Sequence, residues 1–289
     1  MSFRTIVITR KSKCSYKNGY LIVRDDEVKM IHLSEIYCLV FETTAASITA
    51  YLVNELIKMK VPVIFCDEHH NPCAEVLSLY GSHNTSKRVA AQAAWGDLYK
   101  GSVWTCIIRE KIMQQAALLE ELGHPKADLL YSYAENIEYN DASNREGHAA
   151  KVYFNALFGI KFTRREESDI NAALNYGYAL LLSAFNREVI ANGYVTQLGV
   201  CHRNEFNDFN LSCDLMEPFR PMVDKFVHSK KLFFFGEEIR FGLIDLLNAK
   251  VMYNGSKFYL ATAIGMYTKK ILACLSDGKV DKLLFCKMI

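Results

Sequence analysis

The sequence predicts an α+β protein: a small β-rich N-terminal domain followed by a larger all-helical domain. Three observations carry this reading. Up to about residue 80 the apolar residues alternate or gather in short β-branched blocks. The pair Asn18-Gly19 lies between two such blocks, the residue types a tight hairpin turn needs. After Gly81 the apolar residues recur at helical spacing in long Ala- and Leu-rich segments with few turn signals.

The elements follow in order. "RTIVIT" is a short β-branched strand, and "CSYKNGYLIV" is a strand, a type I′ turn and a second strand. "EVKMIHL" and "EIYCLVFE" continue the strand pattern. "SITAYLVNELIKMK" places apolar residues at 48, 52, 53, 56 and 57, the spacing of a helix. "VPVIFCD" returns to a strand, and "EVLSLY" is a further strand candidate. Helical periodicity then runs through "SKRVAAQAAWGDLYKGSVWTCIIREKIMQQAALLEEL", "HAAKVYFNALF" and "DINAALNYGYALLLSAFNREVIANG". It continues in "RPMVDKFVHSKKLFF" and "SKFYLATAIGMYTKKILACL". The polar stretch "YGSHNTS" is the hinge, dividing residues 1–81 from 82–289.

Composition narrows the function classes. A chain of 289 residues, 51% hydrophobic, can bury a sizeable core. Its net charge of +2 neither demands nor excludes a nucleic-acid partner, because a basic face can hide in a balanced total. The nine cysteines form no C-x-x-C pair, which argues against a zinc ribbon and for reduced thiols in a cytoplasmic protein. "MSFRTIVITRKSK" lacks the apolar run of a signal peptide, and no segment approaches a membrane span.

Chemistry concentrates in "GVCHRNEFNDFNLSCDLMEPFRP", residues 199–221. His202 is followed by Asp214 and Glu217, for which two readings stand. "D-L-M-E" with Pro218 fits a helix start, Asp214 as N-cap and Glu217 three residues on. The same acids project to one side, where a cation could bridge them. Glu146 opens "EGHAAKVYFNALFG" on a helical face shared with Ala149, Ala150 and Tyr153. It reads either as a first-turn acid favoured by the helix dipole or as a ligand on a half-buried face. His69, His70 and His148 read as structural or surface residues.

An imidazole with carboxylates suits Mg²⁺ or Mn²⁺ and tilts the choice to Mn²⁺. Cys201 and Cys213 flank the segment without completing a zinc set. A hard cation held by few side chains keeps open positions, as phosphoryl transfer requires. Basic residues fit a phosphate backbone: Lys87 and Arg88 in the 84–95 segment, Arg164 in 161–165, and Arg203 and Arg220 near the acids. The alternative for these charges is a solvated helix surface.

Three segments carry a resemblance to a known family. "EGHAAKVYFNALFG" is similar to its Glu-x-x-x-Ala-x-x-Tyr/Phe segment, and "LNYGYALL" to its Asn-Tyr-Gly-Tyr helix. "GVCHRNEFNDFNLSCDLMEPFRP" is similar to its Gly-x-x-His … Leu-x-x-Asp-Leu-x-Glu-x-Phe-Arg segment. Their order, and the β-then-helical texture of nearly the whole chain, resemble the Cas-one integrase of CRISPR adaptation, most closely its type II branch. The resemblance implies that Glu146, His202 and Glu217 ligate Mg²⁺ or Mn²⁺, with Asp214 an acidic position beside the metal. Some members have Asp where this chain has Glu217, which lengthens the reach by one methylene.

By the same resemblance the helical domain is catalytic and the β-rich one dimerises. The reaction is insertion of short DNA fragments into a CRISPR array, a 3′-hydroxyl attacking a phosphodiester at the repeat boundary. The implied partners are prespacer and repeat–leader DNA, a second copy of the chain, and the small Cas-two protein in a heterohexamer. A ring-shaped DNA-end protein and the effector nuclease complete the type II set. Two other readings compete: a non-catalytic DNA-binding scaffold of the same complex, and a metal hydrolase acting on a small molecule.

Overall fold

The computed structural model describes residues 4–79, 82–231, 234–280 and 283–288. The expected boundary at Gly81 lies outside the described residues. The chain is α+β, strands first and helices after. The first sheet contains β1 (Arg4–Ile8), β5 (Ile36–Phe41), β7 (Val63–Cys66) and β8 (Pro72–Val76), in the order β1-β5-β7-β8. Its β1–β5 and β5–β7 pairs are parallel, and β7–β8 is antiparallel. The second sheet contains β2 (Lys13–Lys17), β3 (Tyr20–Arg24), β4 (Val28–His32) and the short β6 (Ser47–Ile48), in the order β4-β3-β2-β6. Asn18 and Gly19 both take positive φ, 49° and 86°, and Lys17 pairs with Tyr20 across them. This is the two-residue turn the sequence predicts. Helix α1 (Ala50–Lys58) starts later than its apolar pattern suggests, because Ser47–Ile48 extends onto β2 and Thr49 caps Leu52 N–H.

Strand β5, "IYCLVF", is buried along its whole length, as a strand covered on both faces should be. Ile36, Leu39 and Phe41 join Leu21, Leu52, Leu56 and Val63 in a core between the sheets and α1. Tyr37, Cys38 and Val40 face the helices. A register shift lets Thr5 pair with Cys38 directly after Arg4 pairs with Ile36, and this bulge turns both Tyr37 and Cys38 to the helical side.

The helical part comprises α2 (Thr85–Ala93), α3 (Asp97–Glu121), α4 (Ala127–Glu135), α5 (Arg145–Phe158), α6 (Asp169–Ala191), α7 (Asn210–Met216), α8 (Arg220–Ser229), α9 (Glu237–Asp245) and α10 (Leu260–Asp277). The long helices α3 and α6 lie in its centre, so buried residues spread round much of their circumference. One feature departs from the helical expectation. Asn254 and Gly255, φ 48° and 74°, turn β9 (Lys250–Tyr253) into β10 (Ser256–Tyr259), and β11 (Lys287–Met288) pairs on the other side of β9. "SKFY" is therefore a strand, and the helix begins at Leu260. Among the described residues no helix is long and apolar enough to cross a membrane.

Candidate active site

The acids and the histidine singled out in the sequence form two contacts near the junction of α3, α5, α7 and the start of α8: Glu146 and Glu217 on Lys111, and His202 on Asp214. Glu146 lies in the first turn of α5. Its helix start is served by other groups. Asp141 accepts the N–H of Arg145 at 2.7 Å and of Glu146 at 3.1 Å, and Asn144 accepts that of Gly147 at 3.3 Å. A Cβ at Gly147 would fall 2.8 Å from Asn144 Oδ1, so a larger residue there would have to shift the capping side chain. The Glu146 carboxylate is thereby free to turn to α3, where Oε1 lies 2.6 Å from Lys111 Nζ.

Glu217 opens a short 3-10 turn, Glu217–Phe219, between α7 and α8 and is buried. Its Oε1 accepts from Arg220 Nε at 2.9 Å. Its Oε2 lies 2.6 Å from Lys111 Nζ in an ion pair. Burial alone would raise the Glu217 pKa, but Arg220 and Lys111 overcome it and hold the carboxyl well below its ordinary value. Burial alone would lower the Lys111 pKa; the charges of Glu217 and Glu146 reverse that and raise it. One ammonium thus bridges two carboxylates from different elements.

His202 lies in the loop before α7. The expected helix cap by Asp214 is overturned, because α7 begins at Asn210 and Asp214 lies inside it. Asp214 is fully buried and closes the loop from beneath. Its Oδ2 accepts the N–H of Val200 at 2.6 Å and of Cys201 at 2.8 Å, and Oδ1 faces His202 Nδ1. A Cβ on Gly199 would fall 2.8 Å from Asp214 Oδ2 and 2.5 Å from His202 O, so glycine permits this approach. Asn210 ties the rest of the loop, Nδ2 donating to the carbonyls of Gln197, Asn204 and Asn207. Trp104 packs against the imidazole with its ring centroid 5.5 Å away, near perpendicular. The hydrogen bond to Asp214, then its charge and those of Glu217 and Glu146, raise the His202 pKa against the opposing effect of burial. With Nδ1 on Asp214, Nε2 is the ring atom left for a ligand.

Among the described residues no three His, Cys, Asp or Glu side chains are closed on one point as a metal cluster. Glu146 and Glu217 share a single cation, Lys111, and His202 is held beside them. The donor chemistry still fits a hard divalent ion: two carboxylates already gathered round one positive charge, and an imidazole oriented by a carboxylate.

A second network lies behind Glu217. The Arg220 guanidinium sits 4.6 Å over the Tyr178 ring. Tyr178 and Tyr153 both donate their hydroxyls to Asp224, Tyr153 at 3.0 Å. Burial raises the Asp224 pKa to about 6, and the two tyrosines, Arg220 and Arg164 offset only part of that rise. This accounts for the Asn-Tyr-Gly-Tyr helix. Tyr178 meets Asp224; Tyr176 donates to Glu42, which also pairs with Arg240; and Gly177 lets α6 approach Val223, which a Cβ would meet at 2.5 Å.

The basic residues divide into two sets. Lys87, Arg88 and Arg203 are exposed, Arg88 reaching Tyr194 Oη at 3.3 Å and Arg203 reaching Asp97 at 3.2 Å. Arg164 and Arg220 turn inward, Arg164 onto Asn175 at 2.6 Å and over the Tyr178 ring at 5.3 Å. A groove of about 380 Å³ adjoins His202, lined among others by Gln92, Lys100, Gln197, Arg203 and Asn207. Sequence reasoning missed Lys111, Trp104, Asn210 and Asp224, which appear in it as ordinary helix residues.

Residues 5–230 match the family described as CRISPR associated protein Cas1. The chain is 35% identical over 226 residues to a CRISPR-associated endonuclease Cas1 of Neisseria meningitidis serogroup C, covering 78% of this chain and 74% of that protein. It is similar to a casposase bound to integration product, with a TM-score of 0.78 at 19% identity over 98% of this chain and 92% of the other. It is also similar to a chain of a Cas6-RT-Cas1–Cas2 complex, TM-score 0.74 at 18% identity. That match covers 96% of this chain and 35% of the other, so the chain spans about a third of that larger one. At these identities the structural likeness speaks for the fold alone.

Proposed function

This chain belongs to the CRISPR associated protein Cas1 family, and from that premise we propose that it is a metal-dependent DNA endonuclease and integrase of CRISPR adaptation. The observation that supports this best is the convergence of Glu146 and Glu217 on one cation position beside an oriented His202. The reading assigns oxygens of both glutamates and Nε2 of His202 as ligands of Mg²⁺ or Mn²⁺. When bound, the ion supplies charge stabilisation at the scissile phosphoryl group and at the attacking oxygen.

The chain's own groups do the rest. Asp214 fixes the His202 ring and, by receiving Nδ1–H, its tautomer. Arg220 and Lys111 keep Glu217 ionised in a buried position. The polar groove beside His202 takes the backbone of a DNA strand, with Lys100 and Arg203 as phosphate partners. In the proposed reaction a 3′-hydroxyl of a short DNA fragment attacks a phosphodiester at the repeat boundary. One P–O bond forms as another breaks, and the leaving 3′-oxygen takes up the proton. No covalent link to the protein forms, and water in place of the hydroxyl gives nuclease cleavage.

We assign catalysis to the helical part, 82–289, and dimerisation to the β-rich part, 1–81. The assembly partners proposed are a Cas2 protein, in a heterohexamer, with the DNA-end ring protein and effector nuclease of type II systems, in the cytoplasm. One solved structure of the same fold is a Cas6-RT-Cas1–Cas2 complex, which supports the Cas2 partner. The test is integration of a labelled fragment into a plasmid carrying a CRISPR array, with and without Cas2 and with and without chelator. Joined product that chelator abolishes supports the reading; DNA binding without joining under any divalent metal would sink it.

A further inference from the structure

We propose that the Lys111 ammonium holds the position that Glu146 and Glu217 would offer a divalent ion, and that it must leave before they can bind one. This rests on the reading of those glutamates as metal ligands. Three observations carry it. Lys111 lies in the middle of α3, 8% exposed, where a lysine is rare unless paired. Its ammonium lies 2.6 Å from Glu146 Oε1 and 2.6 Å from Glu217 Oε2, so it occupies the point on which both acids converge. Glu217 Oε2 is buried and the Lys111 ammonium is its partner, so withdrawal of that ammonium would leave the oxygen open to another cation.

An ammonium and a divalent ion cannot share that point, since both would need the same oxygens and would repel at contact distance. Lys111 therefore has two effects on the site. It holds the buried Glu217 and the half-buried Glu146 carboxylates together, where they would otherwise repel each other. It also lowers the apparent metal affinity, because the binding-competent state is the minor one with Lys111 withdrawn. A residue that merely supported the site would do the opposite: its removal would weaken metal binding.

The experiment is calorimetric titration of the full-length protein with Mn²⁺. Wild type, Lys111→Met and Lys111→Gln are compared, with Glu217→Gln as the reference for the site. If the competent state is about 1–10% populated, removing the ammonium should tighten Mn²⁺ binding roughly 10- to 100-fold. Without metal both Lys111 variants should melt below wild type, and Mn²⁺ should raise their midpoints more than it raises that of wild type. Unchanged or weaker Mn²⁺ binding in both folded variants would overturn the proposal. Should neither variant fold without metal, wild type decides by amine-reactive labelling read by peptide mass spectrometry. Lys111 should label faster in saturating Mn²⁺ than in chelator, and equal protection in both would overturn the proposal. If wild type binds no Mn²⁺ that Glu217→Gln abolishes, the metal-site reading itself fails, a result distinct from either Lys111 outcome.

Discussion

Glu217 and Asp224 are two turns apart, both buried, and titrate in opposite directions. Burial pushes each towards the neutral acid. Around Glu217 two cations, Arg220 and Lys111, outweigh that push, and the group stays anionic. Around Asp224 the close partners are two tyrosine hydroxyls, which can only hydrogen-bond, and its pKa rises to about 6. The neighbours, not the depth, decide which acid keeps its charge. Glu217 is a charge kept ready; Asp224 is a joint that fastens α5 and α6 to α8 through Tyr153 and Tyr178. Arg220 links the two, its guanidinium paired with Glu217 and its face on Tyr178.

The largest losses are expected at the three proposed ligands. Glu217→Gln, Glu146→Gln and His202→Ala should each cut strand joining by roughly 10³-fold or more, since the charge stabilisation lost is several kcal/mol. Quantified plasmid integration at saturating Mn²⁺ checks this, with circular dichroism to show that the fold persists. Near-normal joining by one variant removes that residue from the site. Arg220→Gln and Asp224→Asn should come next, at roughly 10- to 100-fold, because they orient a ligand instead of being one. Their loss should appear mainly as weaker Mn²⁺ affinity and be partly recovered by excess Mn²⁺. Gly199→Ala should fall in the same range by crowding the Asp214–His202 contact.

The titrations give a third test, with opposite signs. Asp224 has a raised folded pKa, so between about 3.8 and about 6 the folded chain holds more protons than the unfolded one. Its contribution to stability falls as pH rises through that window, by on the order of 2–3 kcal/mol. Glu217 has a lowered folded pKa, so its contribution is present above the ordinary carboxylate range and is lost as pH falls through the folded value. Melting midpoints against pH should therefore change slope in opposite senses in Asp224→Asn and Glu217→Gln. Parallel profiles would mean the two sites do not differ in charge. The proposed metal binding has its own dependence: with the His202 pKa raised, Mn²⁺ would have to displace a proton, so affinity should fall as pH is lowered through the raised value.

What the sequence disclosed follows from the same contrast. Glu146, His202 and Glu217 were legible as a candidate set because an imidazole with carboxylates names a chemistry and because their segments resemble the motifs of a known family. Asn18-Gly19 was legible because only certain residues accept positive φ. Asn254-Gly255 carries the same signal, but the apolar run after it reads on into α10 and hid the short β9–β10 hairpin. Lys111 and Asp224 were not legible. A lysine in "REKIMQQ" and an aspartate in "PMVDKF" look like solvated helix residues, and only packing shows that α3 and α8 turn them inward. The capping-box reading of Asp214 failed for a related reason. Asn210 starts α7 four residues earlier, and the buried carboxylate is taken up by the backbone of residues 200–202.

The smallest effect expected concerns the outer cations, and it extends the comparison from acids to bases. Arg220 is committed inside the protein, whereas Lys87 and Arg88 lie exposed on α2. If the exposed pair tracks a DNA backbone, replacing both with Gln should reduce the magnitude of the salt slope of binding by about 1–2. The structure divides that change unequally. Arg88 lies 5.8 Å from the Tyr194 ring centroid, so part of its reach is spent on the protein, and Lys87→Gln alone should account for about 1. Cleavage of saturating substrate should stay near wild type, because neither residue belongs to the Glu146–Lys111–Glu217 cluster. Fluorescence anisotropy of a labelled duplex across a salt series measures the slope, and chelator should leave it unchanged while stopping cleavage. An unaltered slope would return both residues to the solvated surface of α2 and leave the groove beside His202 as the place to look for phosphate contacts.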